Sequence, residues 1–155
     1  MKKILSLILF STLFSLNSCT EEAEESQVPD LDSISNALEG KWTVTELMGQ
    51  STQDSLLPYG KAFLTFEPKD STFAGYTGCN QISGMFLVGE DKAQFPQFVT
   101  TRKACPLSFE MEFQDALRTV RSYSVKEDLT FSDSTGTTIL ILKKTANHPL
   151  SISHD

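Results

Sequence analysis

The stretch SYSVKEDLTFSDSTGTTILILKK, Ser122 to Lys144, decides the fold. It contains three runs rich in β-branched and aromatic residues, SYSVK, LTFSD and TTILILKK, separated by ED and by STG. Short breaks of Asp, Ser and Gly between such runs are hairpin turns, so the stretch predicts a meander of three antiparallel strands. The segment before it, PLSFEMEFQDALRTVRSY, Pro106 to Tyr123, changes period. Phe109, Phe113, Ala116, Leu117 and Val120 fall on one stripe at helical spacing. Pro106 suits a first helical turn. Glu110 and Glu112 lie near the start and Arg118 and Arg121 near the end, where the helix dipole favours each charge. The spacing predicts one amphipathic helix packed on the sheet.

Further upstream the strand signals return. KWTVTEL, Lys41 to Leu47, sets Trp42 and Val44 on one face and Thr43 and Thr45 on the other. KAFLTFEP sets Ala62, Leu64 and Phe66 on one side and stops at Pro68. STFAGYTG follows the turn PKD; SGMFLVGED and KAQFPQFVTT supply the remaining runs. About eight short strands with one helix inserted before the last three predict an α+β domain. Its sheet is a strongly curved antiparallel one or a cracked β-barrel. The folded region is expected over residues 38–144, room for one core and not two. Residues 145–155 read as a polar tail.

The chain opens MKKILSLILFSTLFSLNSC. Two lysines precede a short apolar run, the pattern of a secretory leader rather than a membrane span. The run ends Leu16-Asn17-Ser18-Cys19, which resembles the lipobox of bacterial lipoproteins. That resemblance implies cleavage after residue 18 and lipidation of Cys19, with the chain held on a membrane by its acyl chains. Loss of residues 1–18 removes Lys2 and Lys3 and no acid, leaving 11 basic and 20 acidic side chains, a net charge of −9. Such a balance disfavours nucleic acid and anionic headgroups as direct partners. Residues 19–37 begin with Glu21, Glu22, Glu24 and Glu25 and read as an acidic flexible tether. At about 3 Å per residue it reaches on the order of 50 Å. An acidic run directly behind the cysteine is similar to the surface-export signal of Bacteroidetes lipoproteins. The expected place is the outer membrane of the cell envelope, on its periplasmic face or at the cell surface.

In GYTGCNQISG, Gly75 to Gly84, Cys79 poses a question of chemistry. A cysteine nucleophile needs a well-held base. The two histidines, His148 and His154, both lie in the tail. No Walker loop or Rossmann fingerprint is present, and Cys79 and Cys105 lack the CxxC or histidine neighbours of a metal site. We therefore expect no catalytic residue, cofactor or metal. With Cys19 lipidated, two cysteines remain in an oxidising compartment. A Cys79–Cys105 bridge would stabilise the domain by about 3 kcal/mol. A reduced buried pair and a reactive Cys79 stay as alternatives. Gly78 and Gly84 allow positive φ or close backbone approach, and Asn80 sets a turn, with Asn80 and Gln81 as exposed ligand contacts the alternative. In FPQFVTTRK, core packing of Phe95 and Phe98 is the preferred reading, and a candidate binding surface, an aromatic and basic rim of those rings with Arg102 and Lys103, stands beside it.

Four pieces in order, GKWTVTEL, GCNQISG, TTRKACP and SFEMEFQDAL, resemble the META domain of HslJ-like bacterial envelope lipoproteins over residues 38–144. The matching residues are Trp42, Gly78, Cys79, Asn80, Gly84 and Cys105; Lys103 stands where the family usually has Met. The resemblance implies a cracked barrel with a helix, an envelope location and, for some members, a link to stress tolerance. It implies no reaction. We expect a non-enzymatic binding or structural module whose partner is an envelope protein or an apolar ligand. The alternatives are a carrier-like or inhibitor-like binder of an apolar ligand or peptide, and a Cys79-dependent enzyme.

Overall fold

A computed structural model describes residues 31–52, 59–104 and 109–145. The leader with Cys19, the glutamate run, Cys105 and the chain beyond Thr145 lie outside the described residues. In chain order the elements are α1 Leu31–Leu38, β1 Gly40–Leu47, β2 Gln50–Ser51, β3 Phe63–Glu67, β4 Thr72–Tyr76, β5 Gln81–Met85, β6 Leu87–Val88, β7 Ala93–Gln94, β8 Phe98–Thr100, α2 Phe109–Thr119, β9 Ser122–Val125, β10 Leu129–Ser132 and β11 Thr138–Lys144.

One antiparallel sheet runs β8-β5-β4-β3-β1-β11-β10-β9, with β2 folded back on β1, while β6 and β7 form a separate ribbon. The first long strand and the last lie side by side at its centre, Trp42 opposite Lys144 and Leu47 opposite Leu140. The expected meander is β9, β10 and β11, Leu129 facing both Val125 and Leu142. The sheet curves but does not close. Its far edges approach through the ribbon: Lys92 bridges Ser122, and the Ala93 and Tyr123 amides donate to Arg121 and Asp91 carbonyls at 3.2 and 3.1 Å. Helix α2 joins the two outermost strands in sequence.

The alternation read from sequence places the core. Ala62, Leu64 and Phe66 are fully buried on one face, as are Trp42 and Val44 of β1. A bulge at Thr45 then shifts the phase, so Leu47 rather than Glu46 turns inward. A second irregularity between Phe131 and Ser132 leaves Ile139 extra, and Ile139 and Leu140 are consecutive buried residues. Phe113, Ala116, Leu117 and Val120 of the predicted helical stripe are buried, and Phe109 packs against the core from its margin. The centre is aromatic: the Phe66 ring lies 4.6 Å from Phe86 and 5.9 Å from Phe131, and Phe95 lies 5.1 Å from Phe86.

Two features exceed the expectation of about eight strands and one helix. Three of the described strands are two-residue pieces, and the end of the stretch read as tether is helix α1. Its sequence, LDSISNAL, has Asp, Ser and Asn in place of strong helix formers. What holds it is tertiary. Ile34 and Leu38, four apart, are buried together. Trp42 Nε1 donates to the Leu38 carbonyl at 2.8 Å, and Lys144 Nζ donates to that of Ala37 at 3.3 Å. The last carbonyls of the helix thus gain a buried donor and a cation.

Replacing Trp42 by Phe keeps most of the ring and leaves the Leu38 carbonyl without its indole donor. The expected cost is about 1–3 kcal/mol, read as a lower urea midpoint with an unchanged slope. The β10–β11 turn carries a pH signature. The Asp133 carboxyl is held below its ordinary value of 3.8, first by the Thr135 hydroxyl and then by the amides of Thr135, Thr137 and Gly136. A depressed carboxyl stabilises fully above its unfolded value, and that contribution is lost as pH falls through the lower folded one. Carboxyl NMR should therefore place the Asp133 midpoint below that of a free aspartate, and Asp133→Asn should remove this part of the acid dependence.

Candidate functional site

The Thr77–Asn80 turn joins β4 to β5, with Tyr76 opposite Gln81. Gly78 sits at φ +97°, a conformation that glycine adopts without the usual Cβ penalty. The Thr77 amide donates to the Asn80 carbonyl at 2.9 Å, and the Asn80 amide donates to the Thr77 hydroxyl at 3.0 Å. Thr77 therefore closes the turn, which frees the Asn80 side chain to reach across to the next segment. Its Oδ1 accepts from the Thr101 hydroxyl at 2.9 Å and from the Lys103 amide at 2.8 Å, and its Nδ2 donates to the Lys103 carbonyl at 3.5 Å. Asn80 is 3% exposed, so these bonds replace water.

The same turn holds the helix. The Thr77 hydroxyl contacts the Glu110 carboxylate in the first turn of α2, and Gln114 Nε2 donates to the other Glu110 oxygen at 3.0 Å. Cys79 is buried and engaged rather than free, and Cys105 lies outside the described residues. Gly84 works by close approach. A Cβ there would stand 2.2 Å from the Gln97 carbonyl and 2.6 Å from Phe98 Cα, so only hydrogen lets β8 lie against β5. Together Gly78, Asn80 and Gly84 fasten β8, the segment after it and α2 to the β4–β5 hairpin.

The proposed aromatic and basic rim is built differently from the sequence reading. Phe95 is a core residue, its ring 4.9 Å from Phe73 and 5.5 Å from Phe131, as the core-packing reading has it, so it is no part of a surface rim. The reason is period two: Ala93 and Phe95 turn inward, while Lys92, Gln94 and Pro96 face out. Phe98 is half-buried, with a cation on its ring, and the cation is Arg118, 4.9 Å from the centroid. Arg102 and Lys103 are exposed beyond the strand. Beside Phe98 lies a cleft of about 390 Å³ lined by Gln94, Phe95, Pro96, Arg118 and Arg121. Arg118 pairs with exposed Asp115 at 3.0 Å, and Arg121 Nη1 donates to the Arg118 and Val120 carbonyls at 2.9 and 2.6 Å. Each guanidinium carries five donors, so both keep donors for a ligand. This face can hold a carboxylate.

Comparison with known families matches the META domain to residues 35–146, more than half of the chain. The chain belongs to the META domain family. It is similar in fold to a protein from Burkholderia xenovorans solved by NMR, at 17% identity and TM-score 0.59, covering 76% of this chain and 89% of that one. It is also similar to the crystal structure of a DUF4847 family protein from Bacteroides vulgatus. That match has 18% identity and TM-score 0.51, and covers 70% of this chain and 94% of that one. No curated protein matches. At these identities the likeness is one of fold.

In this META domain the motif residues do structural work. Trp42 caps a helix, Gly78 shapes a turn, Asn80 ties that turn to the segment after β8, and Gly84 admits a strand. Sequence reasoning missed Thr77, Thr101 and Glu110 as partners of that tie. The spacing of Thr77 and Asn80 carries a signal, since Ser or Thr often caps an amide a few residues on. It also read Arg118 and Arg121 only as dipole partners, because nothing local shows that the β7–β8 link passes beside them. Asn80→Ala should lower stability by about 1–3 kcal/mol by leaving the Lys103 amide unpaired. Gly84→Ala should separate β8 from β5, seen as faster amide exchange at Val99 and Thr101 with the β10–β11 pairing still protected.

Proposed function

We propose that this protein is a lipid-anchored, non-enzymatic module of the bacterial outer membrane that contacts a partner through the face formed by Phe98, Arg118 and Arg121. The observation that carries the reading is the use of the motif. Asn80 is buried with its amide engaged by Thr101 and Lys103, and Cys79 is buried and engaged, so neither is offered to a substrate. The anchor rests on the leader and its LNSC end at Cys19. A role in stress tolerance rests on the HslJ-like resemblance alone. Carriage of an apolar ligand within the curve of the sheet has less support, because Phe66, Phe86, Phe95 and Phe131 fill the interior.

We also propose that Cys79 is bridged to Cys105. Asn80 grips Lys103 with a 2.8 Å bond next to Cys79, and Cys105 is two residues further on. Two trans peptides span at most about 7.6 Å, so that grip brings the second cysteine into the neighbourhood a disulfide needs. The bridge would pin the start of α2 to the β4–β5 turn, parallel to the contact of Thr77 with Glu110.

Non-reducing intact-mass analysis of protein purified from its native membrane tests both points. The expected result is acyl mass on Cys19, a two-hydrogen deficit from the reduced form, and no iodoacetamide label without reductant. An uncleaved leader would remove the anchor. Selective labelling of Cys79 in the native protein at neutral pH would overturn the non-enzymatic reading.

A further inference from the structure

Strand β8 ends the sheet, and its bonding register leaves one side open. The Met85 amide donates to the Gln97 carbonyl at 2.8 Å, and the Thr101 amide donates to that of Gln81 at 3.0 Å. With Val99 opposite Ser83, the odd-numbered residues 97, 99 and 101 face β5. The N–H and C=O groups of Phe98 and Thr100 therefore point away from the sheet, since antiparallel bonding alternates along a strand. Among the described residues neither finds a partner for them. Such an edge is a template for an added strand. Here it is three residues long, and Val99 between the two outward residues is 69% exposed.

Cations mark both ends of this edge in a chain of formal net charge −7. Arg118 lies over the Phe98 ring, and Arg121 lines the adjoining cleft with Gln94 and Pro96. Arg102, exposed, follows the strand. Among the described residues Arg118 pairs with one acid, Asp115, itself exposed. Charge complementarity selects a negatively charged occupant, and the two outward residues select an extended backbone.

We infer that the open edge of β8 and the arginine cleft beside it take an acidic, extended peptide as an added antiparallel or parallel strand. Its backbone pairs with Phe98 and Thr100, and its carboxylates meet Arg118 and Arg121. This deepens the reading of that face as the binding surface and rests on it. The partner is thereby a protein segment rather than an apolar small molecule.

The test uses the full-length, isotope-labelled protein in detergent, with the capped peptide Glu-Val-Glu-Val-Glu-Val as probe and its lysine analogue as control. The expected result is saturable shifts at Phe98 and Thr100, slowed exchange of those two amides, and binding that weakens with salt and is absent for the lysine peptide. Thr100→Pro removes an outward donor without touching the ladder to β5, and should weaken binding at least tenfold; Arg118→Glu should do the same. If Thr100→Pro does not fold, the probe N-methylated at alternate residues serves instead and should lose binding equally. Absence of shifts at Phe98 and Thr100 up to millimolar peptide would overturn the inference. So would equal binding of the lysine peptide, or undiminished binding by the variant or the methylated probe. Those outcomes leave the anchored, non-enzymatic reading in place, because that reading stands or falls on the mass and the thiol labelling.

Discussion

The buried amide of Asn80 is the tie on which the functional half of the molecule depends. It takes the Lys103 amide and the Thr101 hydroxyl on one oxygen, deep enough that water cannot substitute. That single group sets where the chain runs after β8, and so where α2 can begin. The Thr77 contact with Glu110 repeats the fastening one element further along. A hydrogen-bonded side chain suits this task because it fixes direction as well as distance. Apolar burial alone would let the segment slide.

Packing then decides which surfaces remain for binding. Helix α2 sends Phe113, Ala116, Leu117 and Val120 inward, and Phe66, Phe86, Phe95 and Phe131 meet at the centre. A sheet that is curved but unclosed would otherwise offer its interior. Filled in this way, it offers its edge. The polar side of the helix brings Arg118 over Phe98, so a cation of this acidic chain lies where the sheet stops.

Much of this was legible because it is periodic. The alternation of Ala62, Leu64 and Phe66 and the stripe from Phe113 to Val120 announce buried faces before any coordinates exist. The turns between β9, β10 and β11 were equally plain. Helix α1 was not legible, because LDSISNAL is weak in helix formers and depends on Trp42 and Lys144 to close its end. The bulge at Thr45 also escaped, since an extra residue in a strand leaves no mark in composition. Phe95 and Phe98, three apart in one run, look alike in sequence; Phe95 is enclosed by the core, while Phe98 packs against its margin and stays half-buried.

The sequence by itself determined the class of fold, the curved antiparallel sheet with its packed helix, and the family to which the chain belongs. Local propensity and hydrophobic period are properties of neighbouring residues, so they survive without a third dimension. The tertiary structure alone decided that Gly84 serves close approach, that Asn80 ties a distant backbone rather than its own turn, and that Arg118 and not Lys103 covers Phe98. Each of these is a meeting of segments far apart along the chain. Such meetings are set by how strands and helix pack together, which no local pattern records.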